Sequence, residues 1–195
     1  MSTVGVLALQ GDFAAHAGLL AALGAEVREV RRVADLRALG GLVIPGGESS
    51  ALLRLMDGEP WFDALRAFHR EGGALFGTCA GAILLAREVT GPPQPSLGLL
   101  DATVERNAYG RQVQSFETEL QAPALGGPVK AAFIRAPRIR RVGPGVTVLA
   151  QHQGEPVLVE EGRVMAATFH PEITGDGRVH ERFLRAVRQG AAAAR

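Results

Sequence analysis

The sequence predicts an α/β fold: a doubly wound, mostly parallel sheet with helices on both faces and antiparallel additions in the second half. Two observations carry this expectation. As far as Leu85, short apolar runs alternate with helical stretches, the β-α-β-α rhythm of a parallel sheet joined by crossover helices. After Arg87 that rhythm stops, and β-like pieces follow one another without long helices between them.

Each element has its own signal. Val4–Leu9 is a continuous apolar run, as a strand covered on both faces requires. Gln10-Gly11-Asp12 interrupts it, and a helix carrying Ala14, Leu19, Leu20 and Leu23 follows, closed by Gly24 at the C′ position. Ala25–Val30 reads as the second strand, Val33–Leu39 as a short helix and Gly41–Pro45 as the third strand. Ser49 or Ser50 is placed to cap a helix running to about Met56. Asp57-Gly58-Glu59-Pro60 breaks the chain before a helix over Trp61–Arg70. Ala74–Leu85 is an apolar strand that turns sharply into a helix starting at Ala80. Beyond the Gly91–Pro95 loop, six segments read as β: Leu97–Glu105, Val113–Leu120, Lys130–Ile134, Thr147–Gln151, Glu155–Glu160 and Val164–Phe169. The last two form a hairpin through Glu161-Gly162. A final helix, about Gly177 to Arg188, lines up Val179, Phe183, Leu184 and Val187, and the Ala-rich tail beyond Gly190 is expected to fray. With no repeat and no low-complexity linker, residues 1–195 are expected to form one domain.

Composition narrows the function. Apolar residues make up 47% and charged residues 21%, the balance of an ordinary globular protein. The net charge of +1 offers no basic field for nucleic acid. The densest basic stretch, Arg135–Arg141, has no interleaved aromatic to stack a base. It reads as a solvated loop, with at most one arginine recruited to a small anionic substrate. No apolar run approaches the ~18 residues of a membrane span, and Met1–Val4 lacks a secretory pattern. A single cysteine and no leader point to a reducing, cytoplasmic compartment. Metal-ligand spacing and phosphate-binding glycine loops are both missing, so no metal and no cofactor are expected.

The chemistry concentrates around that one cysteine. Gly77-Thr78-Cys79-Ala80-Gly81 has the spacing of a nucleophile elbow, a strained strand-to-helix turn that presents a reactive side chain above a sheet. A helix starting at Ala80 aims free N–H groups at the sulfur, which favours the thiolate. The alternative, a buried cysteine acting as a small hydrophobe, is the commoner fate of a lone Cys. His170 ends an apolar strand and is followed by Pro171, which biases it toward extended geometry. Residues i and i+2 of an extended segment share a side, so Glu172 can orient the His170 ring. His16, His69 and His180 read as surface or half-buried helix residues, and nothing compels His152 toward a site. Gly46-Gly47 after the third strand and the Ala80 N–H are placed to receive a developing oxyanion.

Pro45-Gly46-Gly47-Glu48-Ser49, Gly77-Thr78-Cys79-Ala80-Gly81 and His170-Pro171-Glu172, in this order, resemble the class I (triad) glutamine amidotransferases. Leu9-Gln10-Gly11-Asp12, the Val104–Gln112 block and Phe133–Pro137 narrow the likeness to the glutaminase subunits of pyridoxal 5′-phosphate synthases. The resemblance implies a flavodoxin-like glutaminase that hydrolyses L-glutamine and passes ammonia to a separate (β/α)8 synthase subunit, PdxS. It implies Cys79, His170 and Glu172 as triad, and Gly47, Glu48, Ser49, Arg106, Ile134 and Arg135 as glutamine-binding positions. It also implies that Gly46-Gly47, with Gly47 and Ala80 as oxyanion donors, is misaligned until the synthase docks. Two rivals stand beside it: a glutaminase serving another synthase, and a non-catalytic sensor or binding module of the same fold using Cys79.

Overall fold

The computed structural model describes residues 3–107 and 115–193. The Ala108–Gln112 part of the resemblance block, and the first two residues of the strand expected from Val113, lie outside the described residues.

The chain runs β1 (Thr3–Leu7), α1 (Phe13–Ala22), β2 (Val27–Val30), a 3₁₀ turn (Val33–Leu36), β3 (Leu39–Ile44), α2 (Ser49–Leu55), α3 (Trp61–Arg70), β4 (Ala74–Thr78) and α4 (Ala80–Leu85). It continues through β5 (Ala86–Thr90), β6 (Leu100–Glu105), β7 (Ser115–Leu120), a second 3₁₀ turn (Pro123–Leu125), β8 (Val129–Ile134), β9 (Arg138–Val142), β10 (Thr147–His152), β11 (Glu155–Glu161), β12 (Val164–Ala167) and α5 (Arg178–Ala193). Seven strands form the central sheet in the order β10-β11-β12-β4-β3-β1-β2. From β12 to β2 every neighbour is parallel, while β11 and β10 add antiparallel strands at one edge. This is the flavodoxin-like order, with β12 in the fifth place.

Period-2 alternation sends successive side chains to opposite faces of the sheet. Leu42, Ile44, Leu75, Val164 and Ala166 pack against α2, α3 and α4 through Leu52, Trp61, Leu65 and Leu84. Val43, Phe76, Met165 and Ala167 pack against α1 and α5 through Leu20, Val179, Phe183 and Leu184. The expected two-faced covering of the sheet is therefore what forms. Beside it lie a three-stranded sheet, β5-β6-β9, and the β7-β8 hairpin.

Several local expectations differ from the structure. The helix expected over Val33–Leu39 is a single 3₁₀ turn, because Ala38 adopts φ +62° and Leu39 is already paired with Thr3. Neither Ser49 nor Ser50 caps α2; Glu48 does, its carboxylate accepting from the Ser50 N–H at 3.0 Å and the Ala51 N–H at 2.7 Å. A longer acidic side chain satisfies two of the free N–H groups and opposes the positive helix end. The basic stretch is no solvated loop over Arg138–Val142 but strand β9, antiparallel to β6 with Ile139 buried. Its charges are paired: Arg138 bidentately with Glu155, Arg140 with Glu105 and Glu155, and Arg141 with Asp101. Strand β5 was not expected at all. Finally, α5 continues through Ala193 instead of fraying after Gly190, consistent with the helix preference of alanine. Among the described residues no helix is long and apolar enough to cross a membrane.

The parallel strands all point the same way, so β1, β3, β4 and β12 bring Gln10, Gly46-Gly47, Cys79 and His170 to one rim of the sheet.

Candidate active site

Gly77 sits mid-sheet, registered against Ile44 of β3 and Ala166 of β12. A methyl group there would lie 2.8 Å from the Ala82 nitrogen, and one on Gly81 would lie 3.0 Å from the Ile44 carbonyl carbon. Only glycine lets β4, β3 and α4 approach this closely. Between them Cys79 is held at φ +49°, a backbone conformation that a side chain makes costly. Its N–H donates to the Ala167 carbonyl at 2.9 Å, so the turn is pinned to β12 as well. Cys79 is the free cysteine of the chain and is largely buried. Ala80 opens α4, so its N–H has no partner within that helix.

His170 follows β12 after Thr168 and Phe169, and its N–H donates to the Ala132 carbonyl of β8 at 2.8 Å. The His170 ring lines the same cleft as Cys79, close enough for the thiol to act on it electrostatically. Its Nδ1 lies 2.7 Å from Glu172 Oε1, the i/i+2 geometry that an extended His-Pro-Glu segment allows. Burial pulls the His170 pKa down, but hydrogen bonds and charge from Cys79 and Glu172 outweigh it and push it up to about 10. Burial likewise raises the Glu172 carboxyl, and hydrogen bonds and charge from His16 and His170 more than offset this, holding it well below the usual carboxylate range. The two groups therefore stabilise an imidazolium facing a carboxylate in a site that excludes most water.

A cleft of about 570 Å³ opens over Cys79 and His170. Gly47, Glu48, Ser49, Arg106, Ile134 and Arg135, the positions singled out from sequence, all line it, joined by Ile83, Asn107 and Pro137. Arg106 donates to Ser50 Oγ at 2.6 Å and approaches Glu48 Oε1 at 3.4 Å, and its Nε is buried without a hydrogen-bond partner. Arg135 holds φ +46° at the edge of the cleft, a second strained backbone position. Gly46 packs so tightly that a methyl group on it would stand 3.1 Å from Cys79 Cβ and 3.2 Å from His170 Nδ1. The Gln10 side chain braces the next turn by donating to the Glu48 carbonyl at 3.0 Å.

Sequence reasoning missed part of this surround. The Gly91–Pro95 loop, read as peripheral, reaches the cleft wall: Ser49 Oγ donates to Gln94 Oε1 at 2.9 Å, and Asn107 Nδ2 to the Gly91 carbonyl at 3.3 Å. His16 and His180, read as surface or half-buried, are both fully buried. His16 Nε2 stands 3.3 Å from Glu172 Oε2, and His16 Nδ1 stands 2.8 Å from His180 Nε2. His152 lies tilted against the stacked pair Phe116 and Phe133, and His69 contacts the Gly73 carbonyl. Among the described residues no three side chains are grouped to hold a metal ion.

Comparison with known proteins fits this geometry. The profile of the SNO glutamine amidotransferase family matches residues 6–189. The chain named pyridoxal 5′-phosphate synthase subunit PdxT of Koribacter versatilis (strain Ellin345) is 56% identical over 187 residues, covering 96% of each chain. Its namesake in Deinococcus radiodurans is also 56% identical, covering 93% of this chain and 95% of its own. A crystal structure described as a glutamine amidotransferase superposes with a TM-score of 0.89 at 52% identity, covering 94% of this chain and 98% of that one. The structure of PurLQS from Thermotoga maritima, at 16% identity and a TM-score of 0.74, shares the fold.

Proposed function

The chain belongs to the SNO glutamine amidotransferase family, and from that membership we propose that it is the cytoplasmic, single-domain glutaminase subunit of a pyridoxal 5′-phosphate synthase. It hydrolyses L-glutamine to L-glutamate and ammonia, and the ammonia passes to a synthase subunit, PdxS, in a hetero-oligomer. The observation that carries the reading is the Cys79 elbow at φ +49° sharing one cleft with His170, whose ring has Glu172 2.7 Å behind it.

In this reading, proton transfer from the Cys79 thiol to His170 gives a thiolate–imidazolium pair. The thiolate attacks the side-chain carboxamide carbon of glutamine. The oxyanion that forms is met by the Gly47 and Ala80 N–H groups. His170 gives its proton to the departing ammonia, leaving a γ-glutamyl thioester on Cys79. His170 then takes a proton from water, whose hydroxide attacks the thioester, and glutamate leaves as the thiol is restored. Glu172 keeps the ring in the tautomer this cycle needs. Arg106, nine-tenths buried with a bare Nε, suits the substrate carboxylate, and the exposed Glu48 carboxylate suits the α-ammonium. Ile83 and Ile134 flank the methylene stem.

The test is glutamate release with and without a synthase subunit taken from one of the close relatives. Cys79→Ala should abolish release while leaving complex formation intact. Retained release would assign the chemistry elsewhere, and binding without release by the wild-type chain would favour a sensor module.

A further inference from the structure

We propose that His16 is a positioning residue for Glu172, with His180 behind it fixing the His16 tautomer, so that five side chains form one directional chain from the sulfur into the core. The inference rests on the glutaminase reading above and extends it to two residues on α1 and α5.

The observations begin at the second oxygen of Glu172. The carboxylate side chain is about 1% exposed, and Oε1 is taken by His170. Oε2 is buried and makes no well-aligned hydrogen bond; the ring nitrogen His16 Nε2 is 3.3 Å away. A buried carboxylate oxygen without a donor is costly, so whatever faces it constrains the rotation of the carboxyl plane. If that plane turns, Oε1 no longer aligns with His170 Nδ1.

Proton positions along the rest of the chain follow from what each nitrogen touches. His180 Nδ1 is buried with no partner. A bare lone pair is tolerated there better than a buried N–H with no acceptor. Burial, reinforced by the nearby His16 and only partly opposed by Glu172, pushes the His180 pKa down to about 3, so this ring is neutral. Its single proton therefore sits on Nε2 and is donated to His16 Nδ1 at 2.8 Å. His16, accepting at Nδ1, carries its own proton on Nε2, which hydrogen-bonds with Thr78 Oγ1 at 3.3 Å and stands 3.3 Å from Glu172 Oε2. The remaining face of this pair is apolar: Phe76 meets both rings edge-on and Phe183 packs on Phe76. The side chains thus run in the order His180→His16→Glu172←His170–Cys79. A core histidine pair serving packing alone would have no reason to bring a ring nitrogen within 3.3 Å of the carboxylate that orients His170.

The experiment measures glutaminase turnover of the wild-type, His16→Ala, His16→Gln, His180→Phe and Cys79→Ala chains in complex with a synthase subunit, beside thermal unfolding of each. Rates of Cys79 alkylation by iodoacetamide are read in parallel. Loss of positioning should lower kcat of His16→Ala by roughly 10- to 100-fold with KM nearly unchanged, the scale of a 1 Å misplacement. Alkylation should slow in step. His16→Gln, whose Nε2 can still donate to Oε2, should recover most of kcat, and His180→Phe should fall between the two. The inference is overturned if His16→Ala turns over like wild type while Cys79→Ala is inactive. It is equally overturned if the Gln variant loses as much kcat as Ala does while still folded. If His16→Ala does not fold, the Gln and Phe variants decide. Activity in Cys79→Ala would move the nucleophile elsewhere, and absence of turnover in the wild-type complex would sink the glutaminase reading itself, each a distinct result.

Discussion

A single methyl group added at Gly81 tests whether the elbow is gripped as tightly as its geometry implies. In Gly81→Ala the new carbon would stand 3.0 Å from the Ile44 carbonyl carbon, 3.1 Å from Ile44 Cβ and closer still to the carbonyl oxygen. Carbon atoms pack at ~3.5–4.0 Å, so α4 and the end of β3 must part by roughly 0.5–1 Å. Backbone stands on both sides of the clash, and no side chain can swing away to relieve it. Overpacking of this kind costs ~1–3 kcal/mol of folding free energy. The displacement then spreads along the chain, because Ile44 is followed by Pro45 and by Gly46, which lies against both Cys79 and His170. A shift approaching 1 Å at reacting groups costs on the order of 100-fold in rate. Urea unfolding should register the stability loss, and glutamate release in the complex should fall 10- to 100-fold, by the same scale. The internal control is Gly18→Ala in α1, exposed and with nothing within 4 Å of the added carbon. That change should stabilise by up to ~1 kcal/mol and leave turnover alone. Wild-type stability and turnover in Gly81→Ala would refute the tight elbow.

Other perturbations follow from the same geometry. Glu172→Gln removes the charge behind His170, so the raised pKa of the ring, about 10, should fall in an NMR titration by the part that Glu172 supplies, the part due to Cys79 remaining. Its kcat should drop by roughly 10²–10⁴ with the protein still folded, since the imidazolium loses its partner. Arg106→Lys keeps the charge but loses the planar fork, and should raise the KM for glutamine about 10- to 100-fold with a smaller change in kcat. His180, neutral when folded and titrating near 6.5 when unfolded, takes up a proton on unfolding at acid pH. Its contribution is therefore whole above pH 6.5 and is lost as pH falls toward 3. Glu172, depressed from 4.5, adds its own loss only below about 4.5. Between pH 7.5 and 5.5 the His180 loss, about 1.4 kcal/mol, is opposed by a gain of similar size from His170, whose pKa is raised to about 10, so the wild-type thermal-stability profile should be nearly flat there and His180→Phe should show stability rising as pH falls.

The parts of this protein legible from sequence are those whose physical cause is local. Gly77 and Gly81 stand two residues either side of Cys79 because three backbones must meet there, and that need shows in the string itself. Pro171 sets His170 extended, which fixes where Glu172 falls, and the structure brings the two within 2.7 Å. The parallel half of the sheet was almost as readable, since β1, β3, β4 and β12 are apolar runs, while the edge strand β2 carries Arg28 and Glu29. What stayed hidden depends on partners far along the chain. Strand β9 carries three arginines, and their partners Glu155, Glu105 and Asp101 lie on segments that the sequence does not place beside it. Glu48 was read only as a ligand-binding residue, although its carboxylate also caps α2.

His16 and His180 lie between these cases. Each holds a place on the apolar face of its helix: His16 four residues before Leu20, and His180 three and four before Phe183 and Leu184. Helical periodicity alone therefore marks both as inward-facing. What periodicity cannot supply is the reason a polar ring should be tolerated there. That reason is another polar group brought by a third element, the Glu172 carboxylate at the end of β12. A histidine on the buried stripe of a helix in a chain that also carries a Cys–His–Glu constellation is thus a pointer to the support of the site. The two faces of this sheet are unequal for the same cause: α2, α3 and α4 cover one with apolar side chains, whereas α1 and α5 carry two buried imidazoles on the other, directly behind the carboxylate.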